Sequence, residues 1–296
     1  MNNDKDLEIK NFIPIKILGS GTFGEVYICS HRATKKTYAL KVEKKENSKT
    51  LSREYKVYKA MNPKQTKHIS KLYAHGYLEL NEKKVFGIVL DLFGSSLKQI
   101  SDYMTYFSEK SIYMLALLIL EAIEEVHRKN IIHRDIKPAN FVFSKDGKNI
   151  VLIDFGLAIS ISKKKGEHKS NFVGTLKYAP LAAHVGTSQT YKDDIESIGY
   201  CLLYLLKKKL PWTSLKITPP EAKRKEINRL KTETTVFELT EGNQVFQKFF
   251  IYVRDLNWGE RPNYEYLRSL FIRGIRQLNA ECDFKFEWSL SDIQKL

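Results

Sequence analysis

HRDIKPAN, residues 133–140, sets Asp135, Lys137 and Asn140 at offsets of two and five around Pro138. Pro138 fixes its own φ and restricts Lys137, so the stretch predicts a stiff loop. Before it, residues 108–130 read as one long helix. Ser108 suits the N-cap, and Ile112, Leu115, Ile119, Ile123 and Val126 recur at spacings of three and four. After it, NIVLIDFG (149–156) brings Asp154-Phe155-Gly156 within one hairpin, and short β-like pieces surround both stretches. Any one of these polar residues alone would read as a capped turn. In this order they read as chemistry presented on a loop behind a core helix.

Outward from this loop, the chain divides by periodicity. Residues 12–18, 25–30 and 37–42 are rich in β-branched, aromatic and aliphatic residues and predict consecutive antiparallel strands. Residues 48–61 predict a helix, and 77–80 and 85–92 two more strands joined by the polar turn 81–84. Phe93, Gly94 and Ser95 break the pattern and mark a lobe boundary. Helices are predicted at 191–207, 220–231, 243–256 and 263–274. The fold class is therefore α+β with two lobes. The N-lobe, about 12–92, is an antiparallel sheet with one helix, and the C-lobe, about 96–288, is mainly helical. Residues 1–11 and 289–296 are expected to be short terminal extensions.

Composition narrows the function classes. The 296 residues suffice to bury roughly 75% of the unfolded surface without disulfide staples. Cys29, Cys201 and Cys282 are isolated and odd in number, which argues against a disulfide framework or zinc site and fits a reducing, intracellular compartment. The first ten residues are polar, so no secretory signal is expected. The longest apolar run, 112–120, is too short for a bilayer, so no membrane association is expected. The net charge of +15 points to anionic partners, be they nucleic acid, acidic protein or phosphate, or simply to a lysine-rich solvated surface.

Gly19-Ser20-Gly21-Thr22-Phe23-Gly24-Glu25-Val26 matches G-x-G-x-x-G-x-V. A dinucleotide fold would need a helix to begin at the glycines, whereas a strand-like segment follows here. That favours a hairpin whose backbone N–H groups cover phosphates over a plain glycine-rich turn. Lys41 lies on the third strand, where a lone lysine would face water. Glu54, however, lies within the apolar face marked by Leu51, Tyr55, Tyr58 and Met61, and an inward carboxylate is costly unless paired. Lys41 is its natural partner, and the pair would hold the lysine on the α- and β-phosphates of ATP. Phosphoryl transfer needs a carboxylate near the attacking hydroxyl and oxygen ligands for Mg²⁺. Asp135 would accept or orient the hydroxyl proton. Asn140 and Asp154 would take the metal, and Lys137 would neutralise charge on the γ-phosphate.

Glycine loop, Ala-x-Lys (39–41), helix glutamate, HRDxxxxN and DFG in this order resemble the protein-kinase family across about 12–288. SREYKVYKAM (52–61), GTLKYA (174–179), KDDIESIGYCLLYLL (192–206), LPW (210–212), RPNYEYLRSLF (261–271) and FKFEWSL (284–290) are similar to the casein kinase 1 branch. Vaccinia-related kinases share some of these motifs. The Ala-Pro-Glu of most kinases is Ala179-Pro180-Leu181 here, so its Glu–Arg ion pair cannot form, as in the casein kinase 1 branch. That branch usually has Ser-Ile-Asn at 180–182 and Arg at 177, where this chain has Pro180-Leu181-Ala182 and Lys177.

The resemblance implies a serine/threonine kinase using ATP and Mg²⁺. It places Leu90 as gatekeeper and Asp91 carbonyl and Phe93 N–H on the adenine edge. Leu18, Val26, Ala39, Val142 and Ile153 would sandwich the ring; they would be core residues equally, since apolar pockets are lined by core faces. It also places Lys177, Lys231 and Lys169 as binders of a phosphate on acidic or primed protein substrates. It implies activity without phosphorylation of the activation segment, 154–180. A pseudokinase scaffold would be expected to lack one of Lys41, Asp135, Asn140 or Asp154, and all four are present. A basic nucleic-acid binder would carry a recognisable module, and none is found, so nucleic acid is not an expected partner. A monomer in the cytoplasm, the nucleus or both is expected.

Overall fold

A computed structural model of the chain describes residues 9–21, 24–44, 50–61, 67–80, 82–161 and 166–289. The chain divides into two compact units, 1–93 with 153–157, and 94–152 with 158–296.

The first unit is a five-stranded antiparallel sheet: β1 (Phe12–Ser20), β2 (Gly24–His31), β3 (Thr37–Glu43), β4 (Leu72–Leu80) and β5 (Lys83–Leu90), in the order β1-β2-β3-β5-β4. Pro14 lies on the edge strand β1 beside a register shift, a place where proline is tolerated in a sheet. One face of the sheet closes over Phe12, Tyr27, Cys29, Leu40, Val42, Ala74 and Val89. Helix α1 (Thr50–Met61) buries Leu51, Glu54, Tyr58 and Met61. Register places Gly19 beside Val26, Val26 beside Lys41, and Ala39 beside Leu90, so these lie in neighbouring positions across four strands. Gly24 is obligatory, because a Cβ there would stand 2.2 Å from the Val42 carbonyl oxygen.

The second unit is mainly helical. It begins with α2 (Leu97–Tyr103), closed by a capping box between Ser96 and Gln99. Then comes α3 (Glu109–Arg128), N-capped by Ser108 and buried along most of its length. Two short ladders follow from β6 (Ile131–Ile132), β7 (Phe141–Phe143), β8 (Ile150–Leu152) and β9 (Ile159–Ser160), pairing β6 with β9 and β7 with β8. The remaining helices are α4 (Leu181–Val185), α5 (Tyr191–Lys207), α6 (Pro220–Glu233), α7 (Val236–Thr240), α8 (Gln244–Asp255) and α9 (Tyr264–Gln277). Helix α3 packs against α5 and α9, and α5 against α8. The α5–α8 contact is close at Gly199, where a Cβ would meet the Phe249 and Phe250 rings at 2.7 and 2.6 Å. This antiparallel sheet with one helix, followed by a helical body, is the two-lobed α+β protein-kinase fold. The predicted strand at 77–80 extends back to Leu72, and α2, α4 and α7, each too short for a periodic signal, are additions to the sequence reading.

Candidate active site

In the first unit a buried ion triad forms around Lys41. Its Nζ lies 2.6 Å from Glu54 Oε2 and 2.7 Å from Asp154 Oδ1. Burial alone would push the Lys41 pKa down, but the Glu54 and Asp154 charges outweigh it and hold the ammonium above its ordinary range. Burial pulls Glu54 upward, opposed chiefly by the Lys41 charge. Asp154 takes a left-handed φ of +66°. The next residue, Phe155, is buried with its ring edge against Tyr58 of α1 at 5.2 Å. Strain at Asp154 is thus held by packing on both sides.

On the same sheet, Gly19 and Gly21 have open space where a Cβ would stand, and Gly21 N–H donates to Gly24 O at 2.9 Å. Lys44 Nζ donates to Ser20 Oγ, and Tyr27 hydroxyl donates to Glu25. Thr22 and Phe23 lie outside the described residues. Leu18 is exposed, Val26 and Ala39 half-buried and Leu90 buried. Asp91 is pinned by its side chain, which accepts from Lys71 N–H and Tyr73 hydroxyl, both at 2.8 Å. Its own N–H donates to Ser70 Oγ. That leaves its carbonyl as the backbone group not used by this anchor. Phe93 and Ile153 are half-buried in the same unit, whereas Val142 is buried in the second.

In the second unit the loop 133–140 is built around Asp135. The carboxylate accepts from Thr175 hydroxyl at 2.7 Å on Oδ1 and from Lys137 Nζ at 2.5 Å on Oδ2. Asn140 Nδ2 donates to Asp135 O at 2.8 Å, which aims the amide rather than leaving it to rotate. Arg134 adopts φ +65° immediately before Asp135. The backbone is held there by Asp194 of α5, which accepts His133 N–H at 2.7 Å and Arg134 N–H at 2.9 Å. His127 Nε2 contacts Asp194 at 2.9 Å, and His127 Nδ1 bonds the Tyr264 hydroxyl. Gly174 approaches this loop so closely that a Cβ would stand 2.8 Å from Arg134 O, and its φ is +115°. Only glycine meets both demands.

Asp194 and Thr175 were not identified from the sequence. Asp194 stands beside Asp193 in the first turn of a helix, where acids ordinarily serve the dipole. Asp193 does so, closing a capping box with Thr190. Both acids are 1% exposed, and the available signal was a pair of adjacent acids opening an otherwise apolar helix.

The three lysines expected at a substrate phosphate differ sharply. Lys169 is exposed on a bridge with Thr187. Lys177 is half-buried, its ammonium 4.0 Å from the Tyr204 ring centroid. Lys231 is 1% exposed, so the expectation that it meets a substrate phosphate needs correction. Its Nζ donates to Leu176 O at 3.2 Å and Ala179 O at 2.5 Å and contacts His184 Nε2 at 3.2 Å. An ammonium has three N–H groups, so none is left over. Burial pushes Lys231 down to about 7, and burial with the Lys231 charge pushes His184 from 6.5 to about 3.

Among the described residues no three His, Cys, Asp or Glu side chains form a metal cage, and no helix is long and apolar enough to cross a membrane. Asp154 and Asn140 nonetheless offer hard oxygen donors of the kind Mg²⁺ takes singly alongside phosphate oxygens.

The glycine loop, buried Lys–Glu pair, HRD loop and DFG turn define a protein kinase, and a family model for the protein kinase domain matches residues 12–269. The chain is 36% identical to a probable casein kinase I homolog of Encephalitozoon cuniculi over 95% of its own length and 94% of the relative's. It is 34% identical to casein kinase I homolog 3 of Schizosaccharomyces pombe over 93% of its length, and spans 64% of that longer protein. The chain belongs to the casein kinase 1 family of protein kinases and is a serine/threonine kinase.

His184 is neutral in the fold, whereas an unfolded chain protonates it near 6.5. Its contribution is therefore present above that pH and lost as pH falls from 6.5 toward 3. Acidification through this window destabilises the wild type more steeply than His184→Gln, by up to about 1.4 kcal/mol per pH unit. Denaturant unfolding at several pH values measures this, and parallel slopes for the two proteins would contradict it.

Proposed function

We propose that the chain transfers the γ-phosphate of Mg²⁺-bound ATP to serine or threonine hydroxyls in acidic or phospho-primed proteins. The observation that carries this reading is the doubly anchored Asp135 carboxylate, held by Thr175 on one oxygen and Lys137 on the other. Both anchors are donors, which fix the orientation of the carboxylate toward an incoming hydroxyl. ATP with Mg²⁺ supplies the transferable phosphoryl group and a metal-neutralised leaving group. The chain's own residues do the rest. Lys41, fixed by Glu54, binds the α- and β-phosphates. Asp154 and Asn140 hold the metal. Lys137 offsets charge on the γ-phosphate while orienting Asp135.

The glycine loop 19–24 contributes backbone N–H groups over the phosphates, and the open space at Gly19 and Gly21 supports close approach there. Leu18, Val26, Ala39, Leu90, Val142 and Ile153 take the adenine ring, with Asp91 O and Phe93 N–H on its edge. The pinning of Asp91 by Ser70, Lys71 and Tyr73 supports a rigid carbonyl.

For the protein substrate, Lys177 and Lys169 receive an acidic or phosphorylated residue through charge-assisted hydrogen bonds. The kinase domain runs over 12–288 and acts as a monomer in the cytoplasm, the nucleus or both. Nucleic acid is not among its partners.

Asp135→Asn lowers kcat for peptide phosphorylation by roughly 10²- to 10⁴-fold, the usual worth of a general base, with ATP binding retained. A radiolabelled-ATP assay on a casein-derived peptide measures it, and a near-normal rate would remove Asp135 from this role. Lys177→Glu lowers kcat/KM on acidic or primed peptides by about tenfold more than on neutral ones, as loss of a charge-assisted bond should. An equal loss on both peptide types would refute the assignment.

A further inference from the structure

Lys231 lies buried in α6 with every N–H of its ammonium directed at a protein acceptor. Two of those acceptors, Leu176 O and Ala179 O, belong to one turn. The turn is closed internally by Tyr178 N–H and Ala179 N–H, which both donate to Thr175 O at 2.9 and 2.8 Å. A third carbonyl of the same turn, Lys177 O, accepts from Trp212 Nε1 at 2.8 Å. The Lys231 ammonium also lies 4.8 and 4.9 Å from the Tyr200 and Trp212 ring centroids. Lys231 and Trp212 therefore take three carbonyls, those of Leu176, Lys177 and Ala179, of a turn whose first residue is Thr175.

Thr175 is the residue whose hydroxyl donates to Asp135 Oδ1 at 2.7 Å. The next residues after the turn are held as well, since Leu181 N–H faces Glu196, which also accepts the Tyr200 hydroxyl at 2.6 Å. This carries the anchoring in a chain that has Leu181 where most kinases have a glutamate. Buried carbonyls left without a donor are costly, so a turn without Lys231 would rearrange rather than hold its shape.

We propose that Lys231 is a positioning residue for phosphoryl transfer: through the turn 175–179 it fixes the Thr175 hydroxyl and so the orientation of Asp135. The proposal rests on the reading of Asp135 as the hydroxyl acceptor. It differs from substrate-phosphate binding, because the ammonium acts from inside the protein.

The test is a double-mutant cycle on the full chain with Lys231→Met and Thr175→Val, reading kcat on a neutral peptide, KM for ATP and the thermal midpoint. Lys231→Met should lower kcat about tenfold or more with KM for ATP within about twofold. In the Thr175→Val background the same change should cost less than about twofold, because the link it acts through is already cut. A loss of the same fold in both backgrounds, an unchanged kcat, or a loss confined to KM for ATP would overturn the proposal. Lys231→Gln, which keeps two N–H donors, carries the cycle if Lys231→Met does not fold, with the same pattern at smaller amplitude. Asp135→Asn in the same assay separates the two claims. If it is near wild type, the acceptor role falls; if it is inactive while Lys231→Met is not impaired, only the positioning role falls.

Discussion

A single carboxylate inside the helical unit, that of Asp194, sets the geometry on which the candidate chemistry depends. It is 1% exposed at the start of α5 and accepts two successive backbone N–H groups, His133 and Arg134, while contacting His127. An acid buried without partners would cost several kcal/mol, and here each oxygen is met by a donor. The return is a loop fixed in an uncommon conformation. Arg134 sits at φ +65°, a region non-glycine residues enter only when their surroundings compel them. The chain then emerges with Asp135 presented to Thr175 and Lys137. A helix start, a strained peptide and a presented carboxylate are consecutive links of one argument.

The helical core makes that anchor rigid. Helix α5 carries Asp194 in its first turn and Gly199 against Phe249 and Phe250 in its middle, so its position along α8 is set by close packing. Tyr264, at the start of α9, reaches His127, and Arg261 donates to His127 O at 2.9 Å. The first unit uses a different device. There a lysine between two acids, one buried and one on a left-handed residue, ties the sheet, α1 and the DFG turn together. In both units a buried or half-buried charge that would be expensive alone becomes a fixed point once paired.

Much of this was legible in the sequence because the signals were periodic or chemically exclusive. Residues 108–130 showed a long apolar face and an N-cap serine, and α3 has both. Glu54 on an otherwise apolar face demanded a cation, and Lys41 Nζ lies 2.6 Å from it. Helices α2, α4 and α7 gave no such signal, since five to seven residues do not complete two turns of a repeat. Lys231 misled the reading, because a lysine on a strongly charged helix ordinarily faces water. The clue was its place four residues after Ile227, the other buried residue of α6. What buries it is the turn 175–179, a tertiary contact that local sequence does not encode. The bond of Thr175 to Asp135 is likewise a tertiary contact, formed where Gly174 passes against the Arg134 carbonyl.

The most direct measurement is the rate of phosphoryl transfer by Asp194→Asn, made alongside its thermal midpoint and its affinity for ATP. The substitution keeps the size of the side chain but turns an amide N–H against one of the two backbone donors. The account predicts a kcat lower by at least about tenfold in a protein that is folded and binds nucleotide normally, since roughly 1.4 kcal/mol in barrier height is one decade. A folded variant that transfers phosphate at the wild-type rate would contradict it, and would show that Asp135 is oriented without this anchor.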